Sequence, residues 1–357
     1  MTRASHIIPG FVAVVAALAI QLCLSVAQAE PYPAKPVRIV IPYPISGPTD
    51  IRGTSRMSRS YRLMAPNAPP AISDALARTV AHAIRGDAQQ PVLLERRPGG
   101  GTTRGTISVA RSAADGHTLL LASNATMVIN PHYLHGVEYD PVRDFVLVAP
   151  LVTMPFVLMV NSSHTADDAG GLMAWLKVRP GEINYGSSGE GSTGHLAGEL
   201  FRRITRVNIV HVSYNSGVAA LNGLATRQVS FMFAALPLTL MYFPSEHFRP
   251  LAITSATRST RLPDLPTMAE SGLPGCEIEG WYGLFAPVAS PSVATAWLRE
   301  RIAAAIAQPA ISAQLVSLGL EPATMSLERF ATRIHTETDK WAPVLRASRM
   351  PFKSGDS

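Results

Sequence analysis

The chain has 357 residues, 47% of them hydrophobic and 16% charged, with two cysteines and a formal charge of +6 from 31 Lys+Arg against 25 Asp+Glu. This is a globular composition, neither disordered nor polytopic, at a length that suggests about two domains. Two cysteines exclude a disulfide framework and a thiolate zinc protein, each of which needs several thiols at close spacing.

Arg3 precedes an apolar stretch over 11–26 that runs into Ala27-Gln28-Ala29. Pro9 and Gly10 bound the stretch, and it falls short of the roughly 20 residues that cross a bilayer, so residues 1–29 read as a secretory signal cleaved after Ala29. The mature chain then begins at Glu30 in the periplasm and keeps only Cys276, which leaves no intramolecular disulfide.

Residues 36–42 are a β-branched run bounded by prolines, the pattern of a buried first strand. A helix is expected over 73–84 with Ser73 as N-cap, a second strand over 91–95, a short helix over 106–114 and a third strand over 119–122. That alternation suits a parallel α/β sheet. A second unit follows, with strands over 145–152 and 156–160 separated by Met154-Pro155, then 183–187, 207–212 and 229–233, and helices over 193–204 and 217–225. A strand over 249–255 is placed to return the chain to the first unit, which helices over 293–307, 310–318 and 327–345 would close. Residues 52–72 break this rhythm: they lack periodicity and carry Arg52, Arg56, Arg59 and Arg62 with no acid, so they read as an exposed loop. Without Arg3 and these four arginines the balance is 26 basic to 25 acidic residues, which removes the argument for a nucleic-acid partner.

Three loops carry candidate chemistry. Ser46, Gly47, Thr49 and Asp50 lie where the first strand ends, the place where open α/β sheets bind ligands. Gly100 and Gly101 lie in a glycine run after the second strand, which lacks the spacing of a P-loop or a dinucleotide fingerprint and offers backbone amides to a small anion instead. Ser187, Ser188, Gly189 and Ser192 immediately precede a helix, so hydroxyls, amides and the positive end of the dipole meet at one point suited to a carboxylate. Ser123 and Tyr214 complete the candidate set, and Tyr43 and Trp281-Tyr282 are candidate pocket walls. A hydrolase reading would make Ser192 the nucleophile and His195 its base, but no Gly-x-Ser-x-Gly elbow is present. The ten histidines show no metal-ligand spacing, and no cofactor is implied.

Several motifs in order resemble the Bug-type, or TctC, extracytoplasmic receptors of tripartite tricarboxylate transporters. They include Tyr32-Pro33-Ala34-Lys35-Pro36-Val37-Arg38-Ile39-Val40, Gly47-Pro48-Thr49-Asp50, Arg97-Pro98-Gly99, Asp115-Gly116-His117-Thr118-Leu119-Leu120 and Tyr139-Asp140-Pro141-Val142-Arg143-Asp144-Phe145. His195-Leu196-Ala197-Gly198-Glu199-Leu200-Phe201, Ile209-Val210-His211-Val212 and Leu262-Pro263-Asp264-Leu265-Pro266-Thr267 continue the series. The resemblance implies an α/β, two-domain periplasmic binding protein of the type II, Venus-flytrap kind, each domain a mostly parallel sheet flanked by helices. It implies a non-enzymatic, monomeric receptor that takes a small mono-, di- or tricarboxylate and passes it to membrane permease subunits. The expected domains are 30–127 with 256–357, and 128–255. In the family the loop after the first strand and the hydroxyl-rich loop before the His-Leu-Ala-Gly-Glu helix hold the ligand. A sensory or interaction protein with impaired binding is the alternative.

This chain departs from the family pattern at Ser46 in place of a glycine, at Ser213-Tyr214-Asn215-Ser216-Gly217 where a lysine is lost, and at Ala234-Ala235 where a polar pair is usual. The insertion over 52–72 is expected to draw the first helix's amides off the ligand and so retune affinity.

Overall fold

The structure is a computed structural model that describes residues 32–43, 72–86, 90–134 and 136–347. Residues 1–31, where the secretory signal is expected, the loop holding Ser46, Gly47, Thr49 and Asp50, and residues 52–71 lie outside the described residues.

The first sheet begins as expected from the β-branched runs. β1 (Val37–Ile41) is buried except at Arg38, which turns outward to Thr118 and Glu95. It pairs in parallel with β2 (Val92–Arg96) on one side and β3 (Thr118–Ser123) on the other. α1 (Ile72–Arg85) connects β1 to β2, and α2 (Thr103–Ala110) connects β2 to β3. α2 starts three residues earlier than its periodicity suggests and ends at Arg111, after which Gly116 turns the chain at a φ of 81°. Ser73 is not a cap: it sits inside the first turn of α1 and is buried.

After β3 a π-helical turn over 125–129 runs into the short α3 (Asn130–Tyr133). Then comes β4 (Phe145–Asn161), 17 residues long, where the sequence suggests two strands broken at Met154-Pro155. The strand is continuous because the break is an exchange of partners. Residues through Pro155 pair antiparallel with β9 (Glu279–Pro287), whereas from Phe156 onward β4 pairs with β7 (Phe231–Ala235) and, from Val157, with β8 (Phe248–Ile253). A proline has no N–H for a ladder, so it is tolerated at the seam between two ladders.

The second sheet adds α4 (Ala169–Lys177), then β5 (Ile183–Ser187), α5 (Thr193–Thr205), β6 (Ile209–Ser213) and α6 (Gly217–Ala225) ahead of β7, with α7 (Leu236–Tyr242) after it. β5 is parallel to β6 and β7, and the whole order is β2-β1-β3-β9-β4-β7-β5-β6. Each end of this order is parallel, and the middle, where β9 and β4 run antiparallel, is mixed. β8 stays on β4 and does not return the chain; the segment over 254–278 does, delivering β9. α8 (Ser292–Ala307), α9 (Pro309–Ser317), the two-residue β10 (Glu321–Pro322) and α10 (Leu327–Ala347) follow. No described helix is long and apolar enough to cross a membrane.

Candidate functional site

A cavity of about 180 Å³ lies where the two sheets meet. On the first-sheet side it is lined by Tyr43 beyond β1, Ser73 of α1, and Ser123, Asn124 and Ala125 at the end of β3. On the other side stand Ser188, Ser192 and Thr193 at the start of α5, and Gly217 at the start of α6. Residues around the partner exchange in β4, the end of β7, the start of α7, and Trp281 and Tyr282 of β9 complete the wall.

Of the helices that begin at this cavity, α5 and α6 carry serine caps. Ser192 caps α5, its Oγ accepting from the His195 N–H at 3.3 Å and donating to the Gly189 carbonyl at 2.7 Å. Ser216 caps α6 by accepting from the Ala219 N–H at 3.1 Å. The first-turn amides of Thr193, Gly194 and Gly217 have no partner inside their helices, so they and both dipoles favour a negative charge in front of them. Asn124 Nδ2 donates to Thr193 Oγ1 at 3.4 Å, tying the end of β3 to the start of α5 across the cavity. Tyr133 Oη donates to Glu190 at 3.1 Å beside the same loop. Tyr43 Oη lies 3.4 Å from Thr126 Oγ1 and its ring packs edge-on against Tyr282, with ring centroids 5.8 Å apart; burial raises the pKa of both phenols.

The helix can approach this closely because of two glycines. A Cβ on Gly194 would lie 2.7 Å from the Phe233 carbonyl, and one on Gly198 would lie 2.0 Å from the Tyr185 ring. Glu199 accepts from Tyr185 Oη at 2.9 Å and from Arg202 at 2.7 Å, while His195 is fully buried with its ring 4.1 Å from that of His211. The His-Leu-Ala-Gly-Glu motif thus docks α5 on its sheet, and only the residues ahead of it reach the cavity.

Of the candidate residues, Ser123, Ser188 and Ser192 line the cavity. Ser46, Gly47, Thr49 and Asp50 lie outside the described residues. Gly100 and Gly101 form an exposed turn ahead of α2 at φ of 58° and 61°, where the Gly101 carbonyl accepts from Asn130 at 2.6 Å; they are not part of the lining. Ser187 and Gly189 sit behind it, with Ser187 Oγ donating to the Gly189 carbonyl at 2.9 Å. Tyr214 turns toward α6, where its phenol occupies the space beside Gly223. The sequence reading did not select Ser73, Asn124, Thr193 or Gly217. Thr193 and Gly217 were legible as first-turn positions behind capping serines, whereas Ser73 and Asn124 depend on where α1 and β3 end in space.

Ser192 and His195 do not form a nucleophile and base. Ser192 Oγ meets His195 at its main-chain N–H and not at the ring, and the imidazole turns away, its Nδ1 accepting from the Gly191 N–H at 3.1 Å. Ser187 Oγ and His211 Nε2 do approach to 2.7 Å. Ser187 is fully buried, however, and with its proton given to the Gly189 carbonyl it accepts from the ring. No cluster of metal-ligating side chains occurs among the described residues. Cys276 is buried, which pushes its thiol up to about 12.

Residues 76–350 match the family model described as the tripartite tricarboxylate transporter family receptor, TctC. The chain is 30% identical over 327 residues to BugT of Bordetella pertussis, covering 91% of this chain and 93% of that protein. It superposes on an R. palustris protein solved with adipate at a TM-score of 0.71 and 28% identity, over 88% of this chain and 97% of the other. It superposes likewise on MatC from Rhodopseudomonas palustris with bound malate at a TM-score of 0.68 and 25% identity, over 88% and 100%. The architecture shared with these structures is that of a two-domain α/β binding protein.

Proposed function

Because the chain belongs to the tripartite tricarboxylate transporter receptor family, we propose that it serves in the periplasm as the solute receptor of such a transporter, capturing a small carboxylate between its two domains and delivering it to the membrane permease. The observation that carries this reading is the meeting of two capped helix N-termini with the hydroxyls of Ser123, Ser188 and Ser192 and the amide of Asn124 in one cavity. Each dipole contributes about 0.3–1 kcal/mol toward an anion, and each hydrogen bond to a charged acceptor about 1.5–3 kcal/mol. Amides and hydroxyls bind a carboxylate without neutralising it permanently, which suits a protein that must release its cargo. The adipate and malate held by the two structural relatives support the same ligand class for this chain.

We place the domain boundaries within β4 near Pro155, where the strand exchanges β9 for β7 and β8, and at the return near 255; residues 145–155 then belong with β9 rather than to the expected domain 128–255, and the cavity lies in the cleft between the two domains. Thermal denaturation with a panel of mono-, di- and tricarboxylates tests the reading. A true ligand at a hundredfold its Kd stabilises the folded form by about 2.7 kcal/mol and raises Tm accordingly. A panel in which no carboxylate raises Tm would overturn the proposal.

A further inference from the structure

The lining of the cavity is of two chemical kinds. Ser123, Asn124, Ser188, Ser192 and Thr193 gather at the helix starts. Directly beside them the wall turns apolar, with Met154 and Phe156 of β4, Phe233, Ala234 and Ala235 of β7, and Leu238 of α7. The change is abrupt: the Phe156 ring lies 3.8 Å from the position a Cβ on Gly194 would take in the first turn of α5. Trp281 also lines the cavity, but its Nε1 donates to Glu337 at 2.8 Å, so the indole has no free donor for a ligand. No charged side chain occurs among the described lining residues.

From this asymmetry we infer that the site selects a carboxylate with an apolar body, an aliphatic or aryl monocarboxylate, over di- and tricarboxylates. The inference rests on the receptor reading and narrows it. One carboxylate is served by the helix starts and hydroxyls. A second, carried on the body of the ligand, would be desolvated against Phe156, Phe233 and Leu238 with no described partner, and an unpaired buried charge is strongly disfavoured. A methyl or phenyl terminus in the same place gains from burial. Ala234-Ala235 is part of this wall, at the position where the chain departs from the usual polar pair.

Hexanoate and adipate share a six-carbon skeleton and differ only at the far end, so isothermal titration of the full mature chain with butanoate, pentanoate, hexanoate, adipate and malate tests the inference. Affinity is expected to rise about fourfold per methylene from butanoate to hexanoate, and hexanoate to bind at least about tenfold tighter than adipate. Ala235 caps α7 without a side-chain hydrogen bond, and asparagine is favoured at such a position, so Ala235→Asn keeps the fold while adding a polar group to the wall. That variant should shift the hexanoate-to-adipate preference toward adipate by about tenfold. Adipate or malate binding tighter than hexanoate would overturn the inference and leave the receptor reading intact. A preference unmoved by Ala235→Asn would place the ligand's body elsewhere and also overturn it. Failure of all five acids to bind would overturn both.

Discussion

His195 belongs to one of the motifs that resemble the family, yet it is not among the residues that line the cavity. Its Nδ1 accepts from Gly191 and its Nε2 is buried with no hydrogen-bond partner among the described residues, so the ring is a packed neutral imidazole. Burial first, and His211 second, hold its pKa down to about 4 against the ordinary 6.5. Between those values the unfolded chain binds a proton that the folded chain refuses. Stability from this group is therefore complete above pH 6.5 and is lost as pH falls toward 4, by up to about 1.4 kcal/mol per unit. The pKa of His211 is also lowered by burial and adds in the same direction. Urea denaturation at about pH 7 and about pH 5 should show the drop, and His195→Gln should flatten it. An unchanged slope in that variant would assign the proton elsewhere. The hydroxyls at the site were legible because serine and threonine ahead of a helix have few other uses than capping and binding. The apolar half was not, since Phe156, Phe233 and Leu238 read as ordinary core.

At the scale of elements, α5 shows how closely the site depends on packing. Gly194 leaves no room for a Cβ beside the Phe233 carbonyl, and that carbonyl is held in β7 by its ladder to β4. Gly194→Ala must therefore push the first turn of α5 off the sheet, carrying the Thr193 amide with it. We expect about 1–3 kcal/mol of destabilisation from overpacking and an affinity loss of at least about tenfold, measured by titration of the variant with the best ligand of the panel. Wild-type affinity would show that the first turn does not contact the ligand. β4 and β9 mark the limit of pattern reading. Met154-Pro155 looks like a strand end because proline lacks the N–H a ladder uses, but here it sits where β4 exchanges β9 for β7 and β8. β9 carries Gly280 and Gly283, which interrupt the alternation that signals a strand; both glycines are close-packed, against Met154 and Phe285 respectively.

Over the whole molecule, the cavity is bounded by both sheets, which share β4 and are tied across the opening by Asn124 to Thr193 and Tyr133 to Glu190. Ligand bound between them should draw the two closer, so small-angle scattering at saturating ligand is expected to give a smaller radius of gyration than the free chain. No change would mean that the free protein already holds the closed arrangement. α1 begins beside the cavity, with Ser73 in the lining. Two described arginines of this region are engaged: Arg96 pairs with Asp74, and Arg97 with Glu95.

By itself the sequence determined the alternation of strands and helices, the hydroxyl-rich loop ahead of α5, and the family, because these are local: propensity and period act within a few residues. The tertiary structure alone decided that β4 passes unbroken from one sheet to the other, that β9 inserts between β3 and β4, and that an apolar wall faces a ring of hydroxyls. Each of those brings together segments from separate elements: β4 with β7 and β9, β3 with β9, and Phe156 and Phe233 with Ser123 and Ser192. Whether Phe156 is core or ligand wall depends on what packs against it, which no local pattern encodes.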